Sequence, residues 1–167
     1  MTEPRRSAKP LLLLDIDGTL CPIGPGPGGP MTRLATGGVG SVSFRADLPE
    51  LLAELGRRFE LAWATAWEDS ANLLLAPALR LPALPVVRFS DPAPGEVGDR
   101  FAGRTWKLPS VRRFAGRRAV AWVDDDLHPD AYAWAALRAS PTKLITTEPS
   151  AGLTDAELRA LLAFAST

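Results

Sequence analysis

The chain has 167 residues and a mass of 17.9 kDa, enough for one domain with a substantial core and too short for two ordinary ones. Nineteen basic and nineteen acidic residues cancel, so no overall field favours binding along a nucleic-acid backbone, although neutrality leaves room for a local basic patch. No apolar run approaches the roughly 20 residues that cross a bilayer, and Cys21, the single cysteine, excludes an internal disulfide and any multi-cysteine metal site, which fits a reducing cytoplasm.

Residues 1–9, with Arg5, Arg6 and Lys9, read as a flexible tail; the apolar segment behind them is too short for a signal peptide and runs straight into Asp15. Residues 10–167 read as a single domain. Leu11 to Leu14 form the first of five short apolar runs expected to be strands, followed by Leu61 to Ala64, Pro85 to Phe89, Ala119 to Val123 and Lys143 to Thr146. Their continuous apolarity predicts strands buried on both faces. Helical spacing of apolar residues marks Leu48 to Arg58, Asp69 to Leu79, Ser110 to Ala115, Pro129 to Ala139 and Thr154 to Ala165. Thr154 and Glu157 form a capping-box pattern at the start of the last helix. Strands alternating with helices predict an α/β fold, a Rossmann-like three-layer sandwich around a mainly parallel, five-stranded sheet.

Two segments break this rhythm. Cys21 to Met31 is too rich in proline and glycine for helix or central strand. Behind it, Thr32 to Thr36 and Val39 to Phe44 flank Gly37-Gly38, which predicts a hairpin with a two-residue turn. The region of about 21–47 is therefore read as a small flap beside the end of the first strand. Asp91 to Thr105, with prolines, glycines and charges, is the second predicted loop.

Asp15-Ile16-Asp17-Gly18-Thr19, directly behind the first strand, carries the strongest chemical signal. Residues i and i+2 of an extended chain point the same way, so both carboxylates can face one substrate while Gly18 permits a sharp turn. One acid could attack and the other could carry a proton. Ligands of open α/β sheets gather at the carboxyl ends of strands, and two other strands end in complementary groups. The second ends in Thr65, whose hydroxyl, with the neighbouring amides of Ala66 and Trp67, could donate to phosphate oxygens. The fourth ends in Asp124-Asp125-Asp126, hard oxygen donors suited to Mg²⁺ beside Asp15 and Asp17. Lys107, at the start of the intervening helix, could neutralise phosphate. Taken singly, each has a plainer reading: Asp and Gly commonly open loops, a threonine after a strand is commonly structural, and a lysine is commonly a solvated charge.

In this order, the DIDGTL run at Asp15 to Leu20, Thr65, Lys107 and Asp124-Asp125 resemble the four motifs of the haloacid dehalogenase-like (HAD) phosphohydrolase superfamily, over nearly the whole chain. The resemblance implies an aspartyl-phosphate mechanism for hydrolysing a phosphomonoester. Asp15 would be the nucleophile and Asp17 the general acid and base. Thr65 and Lys107 would hold the transferring phosphoryl. Mg²⁺ would be bound by Asp15, the backbone carbonyl of Asp17, and Asp124 or Asp125. The dehalogenase branch lacks an acid equivalent to Asp17, so ester hydrolysis is favoured over dehalogenation. Neither interval between motifs has room for a large cap domain. An open site would admit a phosphorylated small molecule or macromolecule, with nucleic acid not favoured on charge, no membrane partner, and a neighbouring subunit as a possible cover.

Three further readings compete. A phosphotransferase would use the same residues with a different acceptor. A non-catalytic binding protein would retain the fold without turnover. A receiver-type signalling module also combines acids, threonine and lysine, but there the phosphoacceptor ends the third strand and threonine precedes lysine on later strands. Among the remaining residues, Trp63, Trp122 and Trp134 read as core, Trp106 as shaping the approach to Lys107, and Trp67 as core or a stacking face near the phosphate. His128 reads as structural, and Arg104, Arg112 and Arg113 as solvated charges that could also recruit anions.

Overall fold

The computed structural model describes residues 9–89 and 103–167. The predicted tail lies outside them except for Lys9, whose ammonium donates to the Gly56 carbonyl. The predicted loop lies outside them except for Gly103 to Thr105.

Leu11–Leu14 forms strand β1, completely buried along its length. It is flanked by β4 (Glu60–Trp63) on one side and β5 (Val120–Asp124) on the other, and β6 (Thr142–Thr146) completes a parallel sheet in the order β4-β1-β5-β6. The register sets Leu14 beside both Trp63 and Val123, so the residues following three strands emerge together at one edge.

Alternation along β1 sends Leu12 and Leu14 to one face of the sheet and Leu11 and Leu13 to the other. On the first face they meet Leu48, Leu52 and Leu55 of helix α1 (Leu48–Arg58) and Leu158 and Leu161 of the closing helix α4 (Asp155–Phe164). On the second they meet Leu108, Val111 and Ala115 of α2 (Leu108–Ala115) and Ala131 of α3 (Pro129–Ala136). This is the three-layer sandwich that doubly apolar strands require. Each buried leucine contributes about 1.5–3 kcal/mol of transfer free energy. The predicted capping box is present: the Thr154 hydroxyl accepts from the Ala156 amide, and Glu157 accepts from the Thr154 amide at 2.8 Å.

The sheet has four strands rather than the expected five. Pro85 to Phe89 runs beside β4 but makes a single bridge, Val86 to Trp63. Pro85 has no amide hydrogen to donate. The backbone groups of Leu84 are taken instead by the Asn72 side chain, at 2.9 Å each, and the Phe89 amide donates to Glu68. Asn72 also accepts from the Trp63 indole at 2.9 Å.

The predicted helix over 69–79 is likewise broken. A π-helical turn, Ala71–Leu75, is followed by turns, with the Ala76 amide reaching the Ala71 carbonyl. Pro77 lacks the donor that a continuing α-helix would use. Two helix limits also move: α2 starts before Ser110, and α3 stops at Ala136 rather than Ala139.

The flap is a hairpin of β2 (Met31–Ala35) and β3 (Ser41–Arg45), but its turn is longer than two residues. Gly37–Val39 forms a 3₁₀ turn, and Thr36 closes the loop with its amide and hydroxyl on the Gly40 carbonyl. Phe44 roots the hairpin in the core. Arg45 ties its base to Asp47, Asp155 and the Leu153 carbonyl. The Pro/Gly loop before it is zipped to the turn after β6 by Ile23 and Gly26 amides on the Pro149 and Ser150 carbonyls.

Gly152 sits at the centre of that junction with φ of 68°, and a Cβ there would fall 2.6 Å from the Thr19 carbonyl. Gly152→Ala is therefore expected to destabilise the fold by about 1–3 kcal/mol through strain and backbone displacement. Gly38→Ala at the flap tip, where a Cβ meets nothing within 4 Å, should cost less than about 0.5 kcal/mol. Urea unfolding midpoints of the two variants provide the comparison.

Candidate active site

β1 delivers Asp15 to the sheet edge between the ends of β4 and β5. Its amide donates to the Val123 carbonyl at 3.1 Å, and the residue is only 4% exposed. The next strand over places Thr65 in the interior, and β5 ends on Asp124, 1% exposed. Lys107 comes from the other direction, at the N-terminus of α2. Its ammonium donates to Asp15 Oδ1 at 2.7 Å, Asp124 Oδ2 at 2.7 Å and the Ala64 carbonyl at 3.0 Å. Those three bonds use every N–H that an ammonium has. Lys107 thus grips the two acids rather than standing free for an incoming anion.

The electrostatics follow from burial. Desolvation pushes the Asp15 carboxyl up to about 7; Lys107 offsets part of this, and Asp124 adds to it. Desolvation also acts to lower Lys107, but Asp124 and Asp15 outweigh it, so its pKa is raised. Asp125 is raised by desolvation and by its neighbour Asp124. One lysine does not balance this much carboxylate. Oxygens of Asp15, Asp124 and Asp125 lie within 4.8 Å of one another, and this set of hard donors with surplus negative charge fits a metal ion. Asp126 turns away to His128 at 2.8 Å. The Asp17 carboxylate is also outside the cluster.

Asp17 is placed differently from the expected second rung of a strand. β1 stops at Leu14 and the chain turns at Ile16, whose carbonyl accepts from the Thr19 and Cys21 amides. The exposed Asp17 carboxylate instead accepts from the Trp67 indole N–H at 2.8 Å. Trp67 is therefore neither simple core nor a free stacking face. Its amide donates to the Thr65 hydroxyl at 3.2 Å, so that amide is already engaged. Asp17, Ala66 and Trp67 line a cleft of about 430 Å³ together with Thr36 and Ser41 of the flap and Ser70. The flap thus stands over the outer acid, while the inner acids lie beneath.

Gly18 joins the two levels. With φ of 73°, it passes so close to Asp125 that a Cβ would lie 2.3 Å from the carboxylate oxygen. Supporting hydroxyls escaped the sequence reading. Thr19 donates to Asp15 at 3.4 Å, and the buried Thr147 bridges Thr19 and the Gly18 carbonyl at 3.2 and 2.8 Å. Thr105 is bonded to Asp130 at 2.8 Å and accepts from the His128 amide at 2.8 Å, fixing the approach to Lys107. The one available signal was the position of Thr147 after a strand at the reactive edge. Trp106 does adjoin the lysine, with the ammonium 5.7 Å from its ring centroid. Trp63 and Trp122 are core, whereas Trp134 is only half-buried, under Arg138.

A parallel Rossmann-like sheet, with buried acids and a lysine at its carboxyl edge, defines a HAD-like domain. The family model for the HAD domain in Swiss Army Knife RNA repair proteins matches residues 11–158, and the chain belongs to that family. No curated protein matches the chain. Family membership points to phosphatase-type hydrolase chemistry on a phosphorylated substrate.

Two outcomes test this geometry. Lys107→Met should destabilise the protein by about 3–5 kcal/mol, because it strands two buried carboxylates; thermal and urea unfolding measure it. Cys21 is 3% exposed, and burial, with Asp17 and Asp15 nearby, pushes its thiol up to about 12. At pH 8 only about one thiol in ten thousand is thiolate. Iodoacetamide should leave it unmodified until the chain is unfolded.

Proposed function

We propose that the protein is a Mg²⁺-dependent phosphatase that hydrolyses a phosphomonoester through an aspartyl-phosphate on Asp15. The observation that carries this reading is the division of labour between the two acids. Asp15 is buried and held at 2.7 Å by Lys107, while Asp17 is exposed on the cleft and oriented by Trp67. A nucleophile needs a fixed position; a proton carrier needs access to the leaving group and to water.

In the first step an Asp15 oxygen attacks phosphorus, the ester P–O bond breaks, and Asp17 gives its proton to the departing alkoxide. In the second, water attacks the same phosphorus, Asp17 takes its proton, and the bond to Asp15 breaks to release phosphate. Asp15, Asp124 and Asp125, with the Asp17 backbone carbonyl, are the groups to hold Mg²⁺. That ion supplies charge to offset repulsion between carboxylate and phosphate. Lys107 keeps Asp15 and Asp124 at their posts as charge develops. Thr65 lies at the phosphoryl position, with Ala66 lining its outer side.

We read the ester as the terminal phosphate of an RNA. The support is the RNA-repair setting of the matched family and the exposed position of Asp17 on its cleft. Among the described residues, only the hairpin and α1 separate β1 from β4. Overall neutrality weighs against a nucleic-acid partner only as a global field, and local charge is a separate matter.

Phosphate release from p-nitrophenyl phosphate and from oligoribonucleotides phosphorylated at either end tests the reading. Mg²⁺-dependent release is expected, with Asp15→Asn inactive and Asp17→Asn reduced by about 10²–10⁴-fold. Undiminished release by Asp15→Asn would overturn the mechanism; transfer to an added alcohol without net hydrolysis would make the protein a phosphotransferase. Trp67→Phe keeps the ring but deletes the bond to Asp17. It should lower kcat about tenfold with little change in KM, in line with about 1.5 kcal/mol for a hydrogen bond to a charged group.

A further inference from the structure

The α2–α3 face carries a basic groove that the site chemistry does not use. From Gly103 to Val123 the chain has Arg104, Lys107, Arg112, Arg113, Arg117 and Arg118 and no acid at all. Lys107 is buried in the site, and Arg118 pairs with Glu60 at 2.7 Å. Arg112 and Arg117 are exposed and have no side-chain partner among the described residues. Arg112 lines two adjoining hollows, of about 570 and 420 Å³, that also share Trp134 and Arg138, and Arg117 lines the larger.

At the floor of the groove Arg138 sits over Trp134. The Arg138 guanidinium lies 4.9 Å from the Trp134 ring centroid, with its outer nitrogens bonded to the Gly116 and Arg118 carbonyls. A guanidinium anchored in this way is a planar cation on which a base can stack. Among the described residues Asp130 is the one acid lining either hollow, and Thr105 occupies both its oxygens while Arg104 lies 3.9 Å away. Among the described residues the groove therefore carries positive charge opposed by little.

Its direction matters as much as its charge. α2 begins beside Lys107 at the reactive edge and ends at Gly116, below the start of β5. The hollow holding Arg104 and Asp130 is at the upper end, and the one holding Arg117 and Ser140 is at the lower. A polyanion lying along the groove has one end directed to the edge where Asp15 and Asp17 sit.

The geometry points to this groove as a docking track for the phosphodiester backbone of single-stranded RNA, with Arg112 and Arg117 on phosphates and the Arg138–Trp134 plate under a base. The inference rests on the reading of the ester as an RNA end. Spaced arginines around a stacking plate suit a single strand better than an acidic peptide, which has no bases to stack.

The test is fluorescence anisotropy of a labelled, unphosphorylated single-stranded oligoribonucleotide across a salt series, with wild type and the R112Q/R117Q double variant. Both residues are exposed and outside the catalytic machinery, so unchanged melting and unchanged hydrolysis of p-nitrophenyl phosphate are expected as controls. Binding should weaken at least tenfold, and the slope of log affinity against log salt should fall by about 1.4, at about 0.7 per phosphate contact. Wild-type affinity and slope in the double variant would overturn the proposal. Equal competition by polyglutamate and by RNA would also overturn it, in favour of an acidic protein partner. Because the probe carries no terminal phosphate, its binding reports on the groove even if no ester is hydrolysed. Hydrolysis of phosphorylated RNA without groove binding would leave the phosphatase reading intact and sink the track alone.

Discussion

The grip of Lys107 on Asp15 and Asp124 is the constraint around which the reactive edge is arranged. Two carboxylates held at one buried point repel one another and lose hydration, and neither is tolerable without a cation in direct contact. The ammonium meets both at 2.7 Å and uses its third donor on the Ala64 carbonyl. That last bond links the ends of β1, β4 and β5 through one side chain. The helix that carries Lys107 must therefore start at a fixed height over the sheet, and the Thr105 contacts with Asp130 and His128 secure the segment that leads into it.

The sandwich supplies the rigidity that such a site needs. β1 is buried on both faces, so its leucines leave no latitude in register, and Asp15 is delivered to one place. Outside this rigid edge the structure becomes more open. Asp17 lies in the turn rather than the strand, Trp67 directs it, and the flap rooted by Phe44 and Arg45 forms the far wall of the cleft. The two acids of one short motif thus work in different environments, one excluded from water and one in contact with it. The same separation extends to the surface, where the charge balance of the whole chain conceals a groove on the α2–α3 face in which, among the described residues, Asp130 is the one acid.

Much of this was legible from residue order. Doubly apolar strands imply two covering layers, and residue order puts the DIDGTL run, Thr65 and the Asp124-Asp125 pair behind strands whose ends Lys107 joins through Asp15, Asp124 and the Ala64 carbonyl. Errors arose where side chains displaced backbone pairing. Pro85 to Phe89 keeps one bridge to Trp63 because Glu68 takes the Phe89 amide and Asn72 holds the preceding Leu84, and Pro77 lacks the donor to continue the helix expected over 69–79. The flap turn was misjudged because Thr36 closes a longer loop onto Gly40. These outcomes depend on partners distant in sequence or on local hydrogen bonds that composition does not rank.

The sequence by itself determined the family and the layer order, because periodicity and the residue types at strand ends are local properties. It could not decide which carboxylates share a cation-sized space, that Lys107 would spend its donors on protein acids, or that Trp67 would serve Asp17. It also could not show that scattered arginines line one groove. Those are statements about distance, and distances of a few ångströms between residues as far apart as Thr19 and Thr147 exist only once the sheet register and helix docking have been set.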